Sequence, residues 1–289
     1  MPTPQEVYTR LLMHRDLSRG FPLYTPEPNE GLPPDYRACG PRIGDLGYID
    51  NMNGGFNFLF NVCLPADHPF NQVYGVPETF QQLKLRVGEE RDHEEDFNSS
   101  KNEGAMLVLP HGTEKHDLLP IKKLERAVKE NAQSWHDFIH RYQFVSADLG
   151  LHVDNNSLFV VTGYHKASSW CLASFSREPG TVELSFILQA ELLIRTGDTA
   201  GHEWESIDPI NRRVSSCNGF DETQCKQAVS IQGITITLRD CPTAMLQGGK
   251  VQPEVTALPQ RKKIFSCFWN SETVTVNEGT VSNISIIPS

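Results

Sequence analysis

Apolar side chains recur along this chain with two different periods, and the places where the period changes mark out its elements. Between Pro120 and Tyr142 the residues Ile121, Leu124, Val128, Trp135, Ile139 and Tyr142 are spaced as on one face of a helix. This stretch is the predicted main helix. Nearly everything after it alternates every second residue, the spacing of strands that bury one face. Strands are predicted over Ser157–Tyr164, Ser168–Ser176, Thr181–Arg195, Ala228–Leu238 and Ile264–Trp269, followed by a terminal hairpin turning at Asn277-Glu278-Gly279. The alternation from Val182 to Ile194 is long for a single strand.

The amino-terminal part is more punctuated. Thr3, Pro4 and Glu6 have the form of a capping box, predicting a helix to about Leu17 that buries Val7, Tyr8, Leu11 and Leu12. Residues 20–41 contain Pro22, Pro26, Pro28, Pro33, Pro34 and Pro41. Prolines lack the backbone N–H of regular ladders, so an extended arm is expected, packed on the body through Phe21, Leu23, Tyr24, Leu32 and Tyr36. Asn53-Gly54-Gly55 supplies the positive φ of a tight turn, so residues 42–65 read as a β-hairpin. On its second strand Phe56, Phe58, Phe60, Val62 and Leu64 are expected on one face, with Asn57, Asn61 and Cys63 on the other. Asp67 to Gln81 is rich in turn formers. A strand is expected at Ala105–Leu109, after an acidic stretch, Glu89 to Asp96, that reads as a solvated loop.

The elements add up to an α+β protein: a twisted, mostly antiparallel sheet with one main packed helix and an extended Pro-rich arm. A single domain is expected, with the helix and arm in 1–42, the core in 43–269 and a C-terminal β-hairpin in 270–289. The 289 residues, 38% hydrophobic with 15 Phe, suffice for a large core. A net charge of −10 argues against nucleic acid and acidic lipid as partners, since both are recognised by clustered Lys and Arg. No apolar run approaches a membrane-spanning length, and no leader-like segment opens the chain. The seven cysteines form no CxxC pair and read as reduced thiols of a cytoplasmic protein.

Candidate chemistry falls in three places. "HDFIH" sets His136 and His140 at i and i+4 on the main helix, the layout of a helical zinc site with Asp137 in place of the usual Glu. Both histidines fall off the apolar stripe, so a solvated flank is the preferred reading and no cofactor is predicted. "LPADHPF" and "LPHGTEKHD" carry Asp67, His68, His111, His116 and Asp117 in loop-like surroundings, where they could form an acid/base cluster or simply shape turns. "VTGYHKASSW" places His165 and Lys166 between two apolar runs. The economical account is a hairpin bend at Tyr164–Ala167, with His165 and Lys166 on the surface and Trp170, Leu172 and Phe175 packed inward. Phosphate-loop, GxSxG and GxGxxG patterns are not found.

The combination of "GDLGYI", "FNFLFNVCLPADHP", "GAMLVLPHG" and "SLFVVTGYHKASSW" resembles an uncharacterised family of fungal proteins over most of residues 19–195 and again at 227–239. That resemblance implies no established activity. Its pattern has a small or acidic residue where His165 stands, so the resemblance lowers the case for His165 as a family catalyst. The order of "SSKNEGAMLVLP", the charged helix, "SLFVVTGYHKASSWCLASF", the long alternating run and "QAVSIQGITITLR" is also similar to the pore-forming domain of gasdermins. It departs from them in its acidity and in the short span from Phe80 to Gly104. Together these imply a binding or membrane-interaction module. The alternative is an enzyme acting on a small molecule through Asp67, His68, His111, His165 and Lys166.

Overall fold

A computed structural model describes residues 2–15, 19–85, 87–92, 96–99, 103–109, 112–119, 121–145, 157–176, 182–188, 202–205, 211–215, 226–238, 253–257 and 282–286. The first helix, α1 (Pro4–Arg15), opens on the expected capping box: the Thr3 N–H donates to Glu6 Oε2 at 2.7 Å and the Glu6 N–H to Thr3 Oγ1 at 3.4 Å. Its buried face carries Val7, Tyr8, Leu11 and Leu12, as expected. The proline-rich segment then docks through the two-residue strand β1 (Phe21–Pro22) and buries Leu23, Leu32 and Tyr36. Its course is not extended throughout. A short helix, α2 (Pro34–Cys39), forms where Pro34 occupies a first-turn position that needs no N–H donor, and it ends at Gly40, which takes a positive φ.

The hairpin follows as β2 (Asp45–Ile49) and β3 (Phe56–Asn61), with Gly54 in the positive-φ region at its turn. Its faces differ from the simple alternation expected. The register shifts between Leu46 and Gly47, where Phe60 and then Phe58 are the partners, so Phe56 and Phe58 join one core cluster while Leu59, Phe60 and Val62 join another. The acidic stretch is also corrected. Residues 89–92 lie in β4 (Val87–Asp92) and Asp96 opens β5 (Asp96–Ser99), because each strand has a partner with which to pair its backbone. Those partners are β7 (Thr113–Leu118), read from sequence as loop, and β6 (Glu103–Val108).

The main helix α3 (Lys122–Val145) precedes β8 (Ser157–Ala167), β9 (Cys171–Ser176), β10 (Val182–Leu188), β11 (His202–Glu205), β12 (Asn211–Val214), β13 (Gln227–Leu238), β14 (Pro253–Ala257) and β15 (Ser282–Ile286). The principal sheet runs β1-β13-β8-β2-β3, with β14 on β13, β7 on β8 and β4 on β7. A second sheet has the order β12-β9-β6-β5, and a third β11-β10-β15. Among the described residues every strand pair is antiparallel, the isolated Thr25–Gly55 bridge being parallel. The fold is thus α+β with a mostly antiparallel sheet and one main helix packed on it. Of the C-terminal hairpin, β15 pairs with β10, while the turn at 277–279 lies outside the described residues, as do residues 264–269 and 189–195. No helix among the described residues is long and apolar enough to cross a membrane.

Three apolar clusters explain the layering. On one face of the principal sheet, Leu124, Val128, Ala132, Trp135 and Ile139 of α3 meet Leu46, Phe60, Leu158, Val160, Ile234 and Ile236. Phe60 is the pivot, with edge-to-face contacts to Phe80, Trp135 and Phe138 at 5.9–6.2 Å. On the other face the arm and α2 cover Phe56, Phe58, Phe159, Val161 and Ile231. The third cluster joins α1 to β6, β9 and Trp170. One side chain ties the arm down further: Arg213 of β12 donates to Thr25 Oγ1 at 2.7 Å and to Glu27 Oε2 at 3.0 Å.

Trp170 has no exposed surface, and its indole N–H donates to Gln227 Oε1 at 2.7 Å. Trp170→Ala is expected to lose roughly 3–5 kcal/mol of stability, because both the aromatic packing and the indole hydrogen bond disappear. Denaturant melts of the variant beside the parent protein measure this directly.

Candidate functional site

The stretch read as a bend is the centre of the principal sheet. Tyr164, His165 and Lys166 lie within β8, which pairs along its length with β13. Its other edge is shared: Phe159 and Val160 neighbour Gly47 and Leu46 of β2, and Gly163 to Lys166 neighbour Asp117 to Glu114 of β7. The chain turns only at Ser168 and Ser169, and it passes to the second sheet instead of returning beside β8. The surface positions expected for His165 and Lys166 are therefore corrected: each is 6% exposed. Partner strands on both edges hold this segment extended, and that tertiary pairing outweighs the local turn preference of a polar tetrapeptide.

Successive residues of a strand point to opposite faces, so His165 and Lys166 enter different surroundings. The His165 imidazole turns toward Leu12, Leu107 and Leu109, where its Nδ1 lies 2.8 Å from Ser230 Oγ on β13. A buried ring satisfied by a neighbouring hydroxyl needs no ligand to account for it. Lys166 turns toward α2 on the opposite face. Its stem passes so near Gly40 that a Cβ there would sit 3.9 Å from the Lys166 Cε. Its Nζ lies 4.0 Å above the centre of the Tyr164 ring. Among the described residues, no carboxylate oxygen comes within ion-pairing distance, 4.0 Å, of this ammonium group.

Around Lys166 stands a ring of ionisable groups at greater distance. The His116 ring stacks on Tyr164, with centroids 5.0 Å apart and planes inclined by 27°. Glu114 reaches both His116 Nε2, at 4.0 Å, and Lys226 Nζ, at 2.6 Å. These three side chains are partly exposed and form the rim, with Cys39 at the end of α2. Burial lowers the Lys166 ammonium from its ordinary value near 10.5 to about 8, and Arg42 acts in the same direction; the charges of Asp45, Cys39 and Glu114 oppose the shift.

Behind this ring is a buried polar network. Asp45 has no exposed surface and accepts from the Tyr36 hydroxyl and the Arg42 N–H at 2.7 Å each, and from Asn61 Nδ2 at 2.6 Å. Asn61 in turn is held by Asn71, whose Oδ1 accepts its N–H at 2.7 Å. Burial raises Asp45 to about 6 in spite of these donors. The same burial, with the neighbouring Asp45 charge, pushes the Tyr36 hydroxyl well above its usual value.

The remaining sequence candidates are dispersed. Asp67 is exposed on the turn after β3, and His68 packs its ring against Phe70 with centroids 4.7 Å apart. His136 is partly buried on α3. His111 and the side chain of His140 lie outside the described residues. Among the described residues no group of three His, Cys, Asp or Glu side chains could hold a metal ion. Of the network members, Tyr36 is expected from sequence only as a packing residue, and Asp45, Asn71, Glu114 and Lys226 carry no signal there. The chain matches no family model, no curated protein and no solved structure. The likeness to the fungal family and to gasdermins therefore rests on the motifs alone.

Two substitutions test this geometry. His165→Ala leaves Ser230 Oγ without its partner in a buried place and is expected to lose roughly 1–3 kcal/mol, where a surface histidine would lose almost nothing. Lys166→Met is expected to do the reverse. Below about pH 8 folded and unfolded chains both carry the Lys166 proton, so the folded chain bears the whole cost of burying the charge. Between about 8 and 10.5 the folded chain sheds the proton first, and stability rises with pH. Lys166→Met should abolish that rise and exceed the parent protein by on the order of 3 kcal/mol at neutral pH, read by urea melts across the window.

Proposed function

We propose that this protein is a binding module whose ligand is a small compound carrying negative or partly negative oxygen, captured at Lys166. The observation that carries the reading is the buried Lys166 ammonium with no described carboxylate in ion-pairing reach. An isolated buried charge costs several kcal/mol and does nothing for folding that a methionine of similar shape would not do. An ionisable group kept in such a place is accounted for by a counter-charge brought from outside. Tyr164 supplies an aromatic floor, and the Glu114–Lys226 pair at the rim can open because both partners are partly exposed.

The dispersal of Asp67, His68 and His136 favours binding over an acid/base enzyme built on loop histidines. A membrane-inserting role would call on the alternating run at Val182, yet β10 already has both edges paired, with β11 and β15. A reducing, cytoplasmic setting is supported by Cys39, Cys63 and Cys171, which are free thiols. Burial pushes the thiols of Cys63 and Cys171 up to about 12, which keeps them unreactive.

Titration calorimetry against a panel of small carboxylates and carbonyl compounds tests this reading. The expected result is at least one binder whose affinity falls by about tenfold or more in Lys166→Met, the equivalent of one charge-assisted hydrogen bond. Equal affinity in the parent and the variant for every binder would overturn it.

A further inference from the structure

We propose that Lys166 holds its ligand covalently, as an imine, and that the ligand class is carbonyl compounds, aldehydes or 2-oxo acids. This rests on the binding-site reading above and adds the chemistry of capture.

Three features of the site converge on that chemistry. The amine lies against an aromatic face in a buried place, and burial makes its proton easier to lose than that of a solvated lysine; the neutral fraction so formed is a nucleophile. The site provides proton carriers on the same side of the sheet. His116 stacks on the ring that supports Lys166, and its Nε2 lies 4.0 Å from Glu114, itself open to solvent. The flanking charge is cationic as well as anionic, since Arg42 acts on Lys166 from the α2 side and Lys226 stands at the rim. A carboxylate next to the carbonyl would find a counter-charge there, which favours 2-oxo acids within the class.

The bond-making steps balance without any oxidant or reductant. The Lys166 lone pair attacks the carbonyl carbon, the π electrons move to oxygen, and the nitrogen proton passes to that oxygen through His116 or water, giving a carbinolamine. A proton delivered to the hydroxyl group lets the C–O bond break as the nitrogen lone pair forms C=N. One carbonyl compound and one amine become one imine and one water. The partly exposed His116–Glu114 pair is placed to give and recover the proton, and solvent at the rim takes the water. Tyr164 is a positioning residue in this scheme, as its ring fixes where Nζ stands.

The full-length protein incubated with pyruvate or with propanal at neutral pH, then treated with cyanoborohydride, converts any imine to a stable secondary amine. Peptide mass spectrometry locates it. The expected outcome is modification concentrated at Lys166, at least about tenfold ahead of the surface lysines. Faster labelling by pyruvate than by propanal would assign 2-oxo acids, and the reverse order would assign aldehydes. Tyr164→Leu should slow labelling at Lys166 while leaving surface lysines unchanged. Lys166 unmodified, or modified no faster than surface lysines, overturns the proposal. Acetate, which cannot form an imine, separates the two readings in calorimetry. If it binds in a Lys166-dependent way while no imine is trapped, covalent capture is wrong and the binding site stands. If neither is seen, both fall.

Discussion

The pairing of β8 with β13 is the constraint from which the rest of the structure follows. These are the two longest strands among the described residues, and their ladder runs from Ser157 opposite Thr237 to Ala167 opposite Gln227, with two register shifts. One shift falls at Gly233, where a Cβ would collide with the Phe159 ring and the Val160 carbonyl. Any side chain there would push the central strands apart, and the shift lets Phe159 lie across the gap. Because α3 covers one face of this ladder and the arm with α2 covers the other, consecutive residues Leu158, Phe159, Val160 and Val161 are all buried. A strand buried on both faces has no solvent-facing position to spare. Any polar residue in it must find its partner inside the protein or from a ligand.

The Asp45 network shows how the fold meets that demand where it can. A fully buried carboxylate beside the hairpin is surrounded by a phenol, a backbone N–H and the Asn61 carboxamide, and Asn71 holds the Asn61 backbone in place. These bonds join α2, the loop before β2, the end of β3 and the turn after it, four segments that the apolar clusters alone would leave free to slide. Burial still raises the acid to about 6 against the pull of these donors, so Asp45 holds its proton more tightly in the folded chain than in the unfolded one. Its contribution is full below the unfolded carboxyl value near 3.8 and declines as pH climbs through about 6. Lys166 acts on the same acid from a distance and favours its charged form, a weak coupling between the polar network and the candidate site.

Much of the architecture was legible because it depends on local periodicity and local caps. The helix at α3, the capping box at Thr3, the hairpin at Asn53-Gly54-Gly55 and the strands around β6, β8, β9 and β13 follow from spacing or turn chemistry. What was illegible depends on partners far away in the chain. β7 reads "TEKHDL" and β4 reads "VGEERD", polar strings that form strands by pairing with each other, while β7 also lines the open half of β8. The same reason hid the site. "YHKA" has the composition of a bend, and only the long-range pairing of β8 with both β7 and β13 makes it a strand. Glu114 and Lys226, 112 residues apart, meet at the rim for that reason too.

Beside its neighbours on the two central strands, Lys166 is unusual. His165 has the Ser230 hydroxyl, and Gln227 has the indole N–H of Trp170. These two buried polar side chains on the central strands thus find their partners within the protein. Lys166 is as deeply placed, is drawn well below its usual protonation range by that burial, and is given an aromatic face in place of a carboxylate. A lysine needed only for its stem could be replaced by methionine with a gain in stability, since desolvating the ammonium costs more than the roughly 2 kcal/mol that the cation–π contact returns. The network at Asp45 shows that this fold can build a close partner for a buried charge on the same side of the sheet. That it places that acid beyond ion-pairing reach of Lys166 leaves the amine easier to deprotonate than a paired lysine would be, which is what a reactive amine requires.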